Sequence, residues 1–532
     1  MNITVTNPKG TLPVFSPKQL PQQYAQTAQN CDFREGRLSP LKALSVEEAL
    51  TSESKSIFKA GGTWLSNAGI VDYAWASVFD DDGRLYFTGD SYPKQRTNAG
   101  VVSRLGVPAP STALTISLQG TASDGASVKT TTVYVYTYVN ALGQEGAFSP
   151  PSPAVEIKEG QHTRLTGFAS VSLTGFTPDK IRIYRSSTGG TAGVVPYKLV
   201  DEVDYATQID THYDDEKEMS ELGYTAETEY FDMPEDNIEG LISTPNGLLF
   251  AHKDNEVHIC EPFIAYAWPS AYKKTTESTV MGIGYFDGNV VVVTQTRPYI
   301  LSGYNPAMMD FRPLPFNQPC VSKKSVVSIP GGVVYASSMG LYTISGQGSD
   351  LITKKVVLPE QWETYTPENI IAVNYRGIYL AFFEGTSEGF MFNPNDPYLS
   401  WIDVGDITVN GLHYSPADDS VFVSGTDGLN NNIYEWEGAA TYKTYTWKSK
   451  EFYNPKLTNM GAARIVGDYS GSREAEFKFY GDGNLLFTHT ADDSEGFRLP
   501  AGTRYRTIEY EVSGTADIDV VYIGTSVEAL NG

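Results

Sequence analysis

The chain has 532 residues, with 63 acidic against 39 basic side chains and a formal net charge of −24. Such a length exceeds one ordinary core and predicts roughly two to four structural units. So negative a surface repels phosphate backbones, which argues against adhesive nucleic-acid binding and against attachment to an anionic membrane. No run approaches the roughly 18 apolar residues of a membrane span, and the opening residues lack the order of a signal peptide, so we expect a protein made in the cytoplasm with no membrane-spanning segment.

The composition favours an all-β protein. Aromatic residues make up 12% of the chain, tyrosines number 34, and helical apolar periodicity is hard to find after residue 60. The 49 glycines and 30 prolines are spread along the chain, as turns between strands would be. Three cysteines, Cys31, Cys260 and Cys320, are too few and too scattered for a disulfide framework or a zinc cluster, so we expect them buried and reduced.

The first 107 residues divide into two predicted parts. Residues 1–30 carry few strand signals and several prolines and glutamines, which predicts an extended N-terminal arm that needs a partner surface or stays mobile. Residues 31–107 predict the first part of a propeller, with a strand and turn at Gly36 and later strands at residues 75–79 and 84–89 around an Asp-Asp-Gly turn that ends at Gly83.

Residues 108–225 change character. The segment Thr131–Val139 alternates three tyrosines against valines and threonines, which predicts a two-faced strand of a sandwich. Together with the later strand segments at residues 180–186 and 197–201, this region resembles a fibronectin type III-like domain. We therefore predict an inserted domain with its own core, which could be removed or nicked without unfolding its host.

Residues 226–440 repeat themselves. Three pieces that begin at Gly240, Gly282 and Ser325 can be laid over one another, and weaker copies begin at Asn369 and Gly411. Their predicted turn glycines 247, 288, 332 and 377 fall 41, 44 and 45 residues apart. A period of about 40–50 residues with several short strands is typical of propeller blades. Five copies and the earlier region predict six blades, with a strand segment near Phe33 helping to close the ring.

Residues 441–532 predict a C-terminal β-sandwich. Strands are expected at 475–480 and 485–490, joined by an Asp482-Gly483 turn, and at 505–512 and 518–523. The predicted fold class is therefore all-β: a six-bladed β-propeller with an inserted fibronectin type III-like β-sandwich and a C-terminal β-sandwich.

No catalytic, cofactor-binding or metal-binding residue is predicted. The Asp-box repeat of sialidases is absent, and its nearest approach, Ser424-Gly-Thr-Asp-Gly, has the aspartate displaced. The six histidines lie at separations that make no metal motif, and His252 and His258 have no third ligand nearby in the sequence. The acidic run Asp80-Asp-Asp-Gly lacks the alternating oxygens of a calcium loop and indicates a turn. We therefore predict that the chain is not an enzyme.

Six segments along the chain together resemble a family of virion proteins. They are Phe33-Arg-Glu-Gly-Arg-Leu-Ser-Pro, Tyr86-Phe-Thr-Gly-Asp-Ser-Tyr-Pro-Lys, Tyr136-Thr-Tyr-Val-Asn-Ala-Leu-Gly-Gln-Glu-Gly, Glu261-Pro-Phe-Ile-Ala-Tyr-Ala-Trp-Pro, Cys320-Val-Ser-Lys-Lys-Ser-Val-Val-Ser and Tyr445-Thr-Trp-Lys-Ser-Lys. The chain is identified by this resemblance, which spans about residues 30–530, with the tail nozzle (tail tubular protein B-like) proteins of short-tailed bacteriophages.

The resemblance implies a structural role in the virion tail. It implies a homohexameric ring that contacts the tail adaptor and the tail fibres or spikes, with DNA passing through the channel without specific binding. None of the family's motifs is catalytic, so no active-site residue is carried over. The alternatives are a baseplate, hub or fibre-anchoring protein of another tail type and, less favoured, a glycan-binding or glycan-hydrolysing propeller.

Overall fold

A computed structural model of the chain describes residues 2–75, 83–125, 128–188 and 196–530. The strand predicted at 75–79 and the predicted turn at Asp80–Gly83 extend into residues 76–82, which lie outside the described residues. Across the described ranges the chain is nearly all-β, as its composition predicts. None of the helices in these ranges is long and apolar enough to cross a membrane.

The described residues form 47 strands and two short α-helices. The strands are Ile3–Thr6 (β1), Lys9–Thr11 (β2), Tyr24–Ala25 (β3), Thr27–Gln29 (β4), Cys31–Asp32 (β5), Ser39–Pro40 (β6), Ser45–Leu50 (β7), Ser56–Ala60 (β8), Thr63–Asn67 (β9), Asp72–Trp75 (β10), Leu85–Thr88 (β11), Lys94–Arg96 (β12), Val102–Arg104 (β13), Thr115–Gly120 (β14), Val128–Asn140 (β15), Val155–Lys158 (β16), Gln161–Thr166 (β17), Pro178–Thr188 (β18), Lys198–Asp204 (β19), Tyr213–Asp215 (β20), Glu239–Ser243 (β21), Leu249–Lys253 (β22), Glu256–Ile259 (β23), Lys274–Thr275 (β24), Val280–Phe286 (β25), Asn289–Thr294 (β26), Tyr299–Ser302 (β27), Asp310–Pro313 (β28), Val327–Ile329 (β29), Gly332–Ser337 (β30), Gly340–Ser345 (β31), Gly348–Leu351 (β32), Ile370–Tyr375 (β33), Ile378–Phe383 (β34), Glu388–Phe392 (β35), Leu399–Asp403 (β36), Ile407–Ser415 (β37), Ser420–Asp427 (β38), Asn430–Glu435 (β39), Tyr445–Lys448 (β40), Phe452–Thr458 (β41), Ala462–Asp468 (β42), Ala475–Gly481 (β43), Asn484–Ala491 (β44), Gly496–Arg498 (β45), Tyr505–Gly514 (β46) and Asp517–Gly524 (β47). The α-helices are Tyr205–Gln208 (α1) and Pro359–Glu363 (α2), and the 3₁₀ turns are Met219–Glu221, Ser270–Tyr272, Pro306–Met308, Lys323–Ser325, Pro367–Asn369 and Glu528–Leu530.

Groups of four strands recur along the chain. Strands β10–β13, β21–β24, β25–β28 and β29–β32 each form a four-stranded sheet in sequence order, and β33–β36 form the same arrangement within a larger sheet. We call them the first to fifth groups. The predicted turn glycines 247, 288 and 377 have positive φ angles of 79°, 81° and 84°, but in the fourth group the left-handed glycine is Gly331, with φ 80°, rather than its neighbour. Glycine adopts this backbone region without the steric cost of a Cβ atom.

A sixth group is completed from elsewhere in the sequence. Strands β37, β38 and β39 form its first three strands. Strand β7 is the fourth and pairs antiparallel with β39, with Ser45 opposite Glu435. The segment near Phe33, which we expect to help close the ring, forms the β5–β6 hairpin and is not a strand of this sheet, and its part in ring closure stays a prediction. The strand β7 had escaped prediction because most of its side chains are exposed, so it carries no apolar alternation.

The strand β34 of the fifth group is a continuous apolar run, and the packing on its two faces explains this. On β34, Tyr379 and Ala381 lie in a core shared with the fourth group, whereas Leu380 and Phe382 lie in a core shared with the sixth. Successive side chains of a strand point to opposite faces of its sheet. Both faces of this sheet are therefore covered by a neighbouring group, and no polar position is needed on the strand.

The chain divides into two compact units, residues 71–283 with 301–312, and residues 1–70 with 284–300 and 313–532. In the former unit, seven strands build two sheets, ordered β14-β17-β20 and β16-β15-β18-β19. They share one core, in which Tyr134, Tyr136 and Tyr138 are buried. We call residues 114–215 the central region; its likeness to a fibronectin type III domain stays a prediction.

The central region contacts the first group through buried amides. Gln95 Nε2 donates to Gln144 Oε1 at 2.8 Å, and Gln144 Nε2 donates back to Gln95 Oε1 at 2.9 Å. Removing residues 108–225 would take away this partner, although Gln95 Nε2 also donates to the Arg104 carbonyl oxygen at 3.1 Å. The expected removal of this region stays a prediction, and this amide pair sets part of its cost.

The predicted N-terminal arm does not stand apart from the rest of its unit. Strand β1 pairs with β47, β2 pairs with β36, and β4 lies between β36 and β40. The C-terminal sandwich predicted at 441–532 therefore shares its core with N-terminal side chains, including Ile3, Val5 and Ala28. Strands of two to four residues between prolines are too short to give a periodic signal, so the sequence did not reveal them. We call residues 2–40 with 441–530 the terminal region.

Candidate functional site

The three cysteines are buried and free, as the sequence predicts. Burial raises the pKa of the Cys260 and Cys320 thiols to about 12 and that of Cys31 well above its ordinary value. A thiol held in its protonated form is a poor nucleophile and a poor metal ligand. The geometry therefore gives these side chains a packing role.

One histidine has acidic neighbours that the sequence did not indicate. Glu235, Glu256 and His258 offer ligand atoms that all lie within 4.8 Å of one another. The expectation that no further ligand lies near His258 is therefore wrong, since Glu256 is two residues away and Glu235 is close in the folded chain. Glu256 and His258 are two residues apart on β23 and so share a face, whereas Glu235 precedes the second group and had no motif to mark it.

Two lysines determine what this cluster can do. Lys273 Nζ contacts Glu235 Oε1 and lies 3.5 Å from Glu256 Oε2, and Lys253 Nζ lies 3.1 Å from Glu235. The hydrogen bond from Lys273 lowers the pKa of Glu235 to about 2, and burial followed by the Lys273 charge lowers the pKa of His258. The ammonium groups hold the position beside the carboxylates that a cation would need, so the cluster is an ion-pair network.

A cavity of about 600 Å³ lies between the N-terminal segment and the fifth group. Its walls include Gln29 and Thr11 on one side and Tyr365, Thr366 and Trp401 on the other. The Tyr365 and Trp401 rings meet edge to face at 4.8 Å. Thr366 has a φ of 50°, a left-handed conformation that is rare for a β-branched residue, and strain of this kind is found at ligand sites.

A second cavity, of about 540 Å³, lies where the Phe33–Pro40 segment meets the end of the sixth group. We call it the arginine cavity; its lining includes Arg34, Arg37, Ser39, Lys42, Tyr375 and Trp436. The Arg34 and Arg376 guanidinium groups lie over the Tyr375 ring, at 5.6 and 5.1 Å from its centre.

Several large apolar side chains are exposed. Met308 is 84% exposed and Tyr304 is 76% exposed in the segment between β27 and β28, and Leu429 is 96% exposed at the tip of the β38–β39 hairpin. An isolated apolar side chain on a surface is ordinary, but these three are the most exposed large ones in the described chain. They mark positions where contact with another molecule would gain the most burial.

Comparisons with known proteins give no family. No family model matches the chain, and no curated protein matches it. Solved structures that it resembles include the Pan2 WD40 domain of Neurospora crassa, with 5% identity, 70% of this chain and 90% of that chain covered, and a TM-score of 0.28. A chain in a crystal structure of the mitotic checkpoint complex shares 9% identity, with 74% of this chain and 94% of that chain covered and a TM-score of 0.29. The extracellular domain of the putative one-component system BT4673 of B. thetaiotaomicron shares 10% identity, with 96% of this chain and 82% of that chain covered and a TM-score of 0.28. Structural similarities with TM-scores this low do not indicate a function.

Proposed function

We propose that the chain is a structural subunit of a short-tailed bacteriophage tail. In this proposal the six groups of strands are the blades of one six-bladed β-propeller, with the central region as an inserted domain. Six subunits form a ring, the nozzle, around the DNA ejection channel, and the ring joins the head-proximal adaptor to the distal tail parts. In this role the protein is structural and catalyses no reaction, so it needs neither a cofactor nor an active site.

The observation that carries this proposal is the pairing of β7 with β39. Blades that only stack on their neighbours can unstack at either end, whereas a strand from the start of the chain that completes the last blade ties the two ends together. The burial of both faces of the fifth group supports the same arrangement, since a blade must cover each face with a neighbour. In this proposal, a subunit whose propeller is closed in this way resists unstacking of its blades during DNA ejection.

The negative charge of the chain supports the proposal that DNA passes through the channel without binding to its wall. The chain carries a net charge of −24, and many of its basic groups are already engaged with carboxylates, as Arg34 is with Asp32 and Glu437. Each free Lys or Arg in a channel would add a phosphate contact and would release counterions, which favours binding. A surface with few free cations lets a polyanion slide.

The ring requires heterologous contacts between identical subunits. Contacts of this kind give a closed cyclic assembly when the rotation between neighbours closes. The exposed Met308, Tyr304 and Leu429 side chains are the strongest apolar candidates for such contacts, and the central region is the candidate for contact with fibres or spikes.

Cryo-electron microscopy of purified virions that contain this chain tests the proposal. We expect a six-fold ring on the tail axis, with a bore wider than B-form DNA and Asp or Glu side chains facing it. Six chains of 58.3 kDa give a mass of roughly 350 kDa for the ring. Tracing the chain in the head shell, or as a trimer in a peripheral fibre, would refute the proposal; a ring with a basic bore would keep the location and remove the sliding argument.

A further inference from the structure

We propose that the cavity of about 600 Å³ beside Trp401 is a binding site for a neutral carbohydrate of about one or two sugar rings. We call it the Trp401 cavity. All of its lining residues lie within the unit of residues 1–70, 284–300 and 313–532, and the inference does not depend on the proposed role in a tail. In this site the sugar hydroxyls bond to Gln29, Tyr365 and Glu388, and the C–H groups of a sugar ring pack against Trp401.

Strand pairing places three of these side chains on one face of the sheet. Trp401 on β36 lies opposite Gln29 on β4, and on its other side it lies opposite Phe390 on β35. Glu388 is two residues before Phe390 on β35 and shares that face, because successive side chains of a strand point to opposite faces. Side chains from three strands, two of them distant in the sequence, therefore meet at one wall of the cavity.

The opposite wall includes Tyr365, in the segment that follows α2, and this segment is held in place on two sides. Trp362 is fully buried and donates its indole Nε1–H to the Ser337 carbonyl oxygen at 2.9 Å. Gln361 Nε2 donates to the Pro13 carbonyl oxygen at 2.9 Å. The cavity is thus formed by the packing of the chain itself, as sites for small molecules usually are.

Several polar side chains of this cavity are accessible to a ligand. Thr27, Thr366 and Glu388 are exposed. Gln29 and Tyr365 are partly exposed. Within the described part of the chain, none of these side chains makes a hydrogen bond or an ion pair. A ligand in the cavity can therefore bond to them without breaking a contact inside the protein.

The chemistry of these groups matches that of sugar hydroxyls. A glutamine amide has two N–H donors and an oxygen acceptor, a threonine or tyrosine hydroxyl donates and accepts, and a carboxylate only accepts. A sugar carries several hydroxyl groups, each of which can donate as well as accept. Such a ligand can bond to every one of these side chains, whereas a ligand with acceptors alone gives the Glu388 carboxylate nothing to accept.

The charge of the lining favours a neutral ligand. All of the lining residues belong to the described part of the chain, and Glu388 is the only charged one, with no Lys, Arg or His beside it. A phosphate or carboxylate ligand would meet this carboxylate without a counter-charge. A cationic ligand gains little in return, because a single exposed carboxylate stays hydrated and attracts a cation weakly.

Two aromatic rings supply the apolar surface on which a sugar ring can pack. Tyr365 and Trp401 are both partly exposed, and their rings meet edge to face with centres 4.8 Å apart. Trp401 Nε1 donates to Thr11 Oγ1 at 3.2 Å, which fixes the orientation of the indole. Aromatic side chains with a polar end suit a site that is apolar on one side and wet on the other. An apolar corner next to neutral hydrogen-bonding groups is the combination that a sugar, with its C–H faces and its hydroxyl rim, requires.

Saturation-transfer difference NMR of the full-length chain tests this inference. The probes are the methyl glycosides of glucose, galactose, mannose, rhamnose and N-acetylglucosamine, with glucose 6-phosphate and choline as charged comparisons. We expect saturable binding of at least one neutral glycoside, with a Kd of about 10 mM or lower, and weaker binding of both charged probes. The proposal is overturned if no neutral glycoside saturates up to about 50 mM, or if a charged probe binds as tightly as the best neutral one.

Variants show whether the sugar binds in this cavity. Gln29→Met removes the amide at similar length, Tyr365→Phe removes the hydroxyl and keeps the ring, and Glu388→Met removes the carboxylate. Each should weaken binding by about threefold to tenfold, as expected for the loss of one hydrogen bond. The matched controls Gln23→Met and Tyr453→Phe alter exposed side chains outside the cavity and should bind as the unaltered chain does. Unchanged affinity in all three cavity variants, with native thermal unfolding, would refute the site.

Discussion

The central region and the terminal region both pack two sheets around one core, but their interiors differ. In the central region the Tyr134 hydroxyl donates to Asp215 at 2.7 Å, and the Arg185 guanidinium lies 2.6 Å from the same buried carboxylate. In the terminal region the corresponding interior is built from apolar and aromatic side chains such as Phe477 and Trp447, and the buried Tyr510 hydroxyl has no partner within the described part of the chain.

The two regions also recruit their strands differently. The central region takes all seven of its strands from one continuous stretch of about a hundred residues between β14 and β20. The terminal region needs strands from both ends of the chain, since β1 pairs with β47. The locally encoded region thus adds a buried ion pair to its apolar core, whereas the core of the region assembled from distant segments is built from apolar and aromatic side chains.

Removal of residues 2–29 should give the largest effect. The deletion takes away β1 and β4 and uncovers the core that Ile3, Val5 and Ala28 help to close, so we expect the terminal region to lose at least about 5 kcal/mol. Limited proteolysis should then cut within residues 441–530 first, while the cleavage pattern of the central region serves as the control and stays unchanged. A truncated chain that resists proteolysis in both regions would contradict the dependence on the N-terminal strands.

Breaking the buried ion pair of the central region should come next. Arg185→Met leaves Asp215 buried without its counter-charge, where the two side chains are 6% and 0% exposed, and we expect a loss of about 3–5 kcal/mol. The neighbouring pair Arg164–Asp214, with the two atoms 2.7 Å apart, is a third exposed, and Arg164→Met should cost about 1 kcal/mol or less. Denaturant unfolding of the two variants measures the difference. Equal losses would mean that burial of the pair is not what matters.

A pair of tyrosine substitutions compares the two interiors directly. Tyr134→Phe removes a hydroxyl that bonds Asp215, so we expect a loss of about 1–2 kcal/mol. Tyr510→Phe removes a buried hydroxyl that has no partner among the described residues, and we expect no loss, or a gain of up to about 1 kcal/mol. Thermal unfolding of both variants provides the measurement. A clear destabilisation by Tyr510→Phe would show that its hydroxyl is hydrogen-bonded after all.

The smallest expected effect depends on pH and concerns another contact between distant segments. His413 on β37 packs against Phe58 on β8, with ring centres 4.8 Å apart, and burial lowers its pKa to about 4. The unfolded chain takes up a proton near pH 6.5 and the folded chain resists it until about pH 4, so this residue's contribution is lost as the pH falls between those values. The full difference between those two pKa values would correspond to about 3 kcal/mol at pH 4, and because the His413 side chain is only partly buried we expect about half of that loss.

The His413→Gln variant isolates this contribution. Its free energy of unfolding should fall less than that of the unaltered chain between pH 7 and pH 4, because glutamine does not titrate. The exposed His212, replaced in the same way, is the matched control and should leave the difference unchanged. A constant offset between His413→Gln and the unaltered chain across this pH range would contradict the assignment.

What could be predicted from the sequence was the part of the fold that repeats or alternates. The turn glycines and apolar strand pairs from residue 240 onward mark four-stranded groups because each group repeats one local pattern, and the tyrosine alternation at Thr131–Val139 marks a strand of a sandwich. Strand β7 and the N-terminal strands were missed. Their pairing depends on partners far along the chain, and strands that are short or exposed leave no periodic trace.

The candidate site was out of reach of the sequence for a related reason. Arg37, Ser39 and Trp436 carry no motif together, since the first two lie on a short hairpin and the third follows β39. Only the folded chain brings these three residues to the lining of one cavity. The lysines that neutralise Glu235 could not be predicted either, because an ion pair between residues of different segments has no fixed spacing in the sequence.

The pairing of Ile3 with Ile523 has a consequence for the time course of synthesis. A ribosome adds about 5–20 residues per second, so the first strand waits roughly 25–100 s before its partner has been made. The first five four-stranded groups and the central region can fold during this interval, because their contacts are nearer in sequence. The terminal region cannot close until translation has nearly ended, and its apolar N-terminal side chains are exposed to aggregation and to chaperones until then.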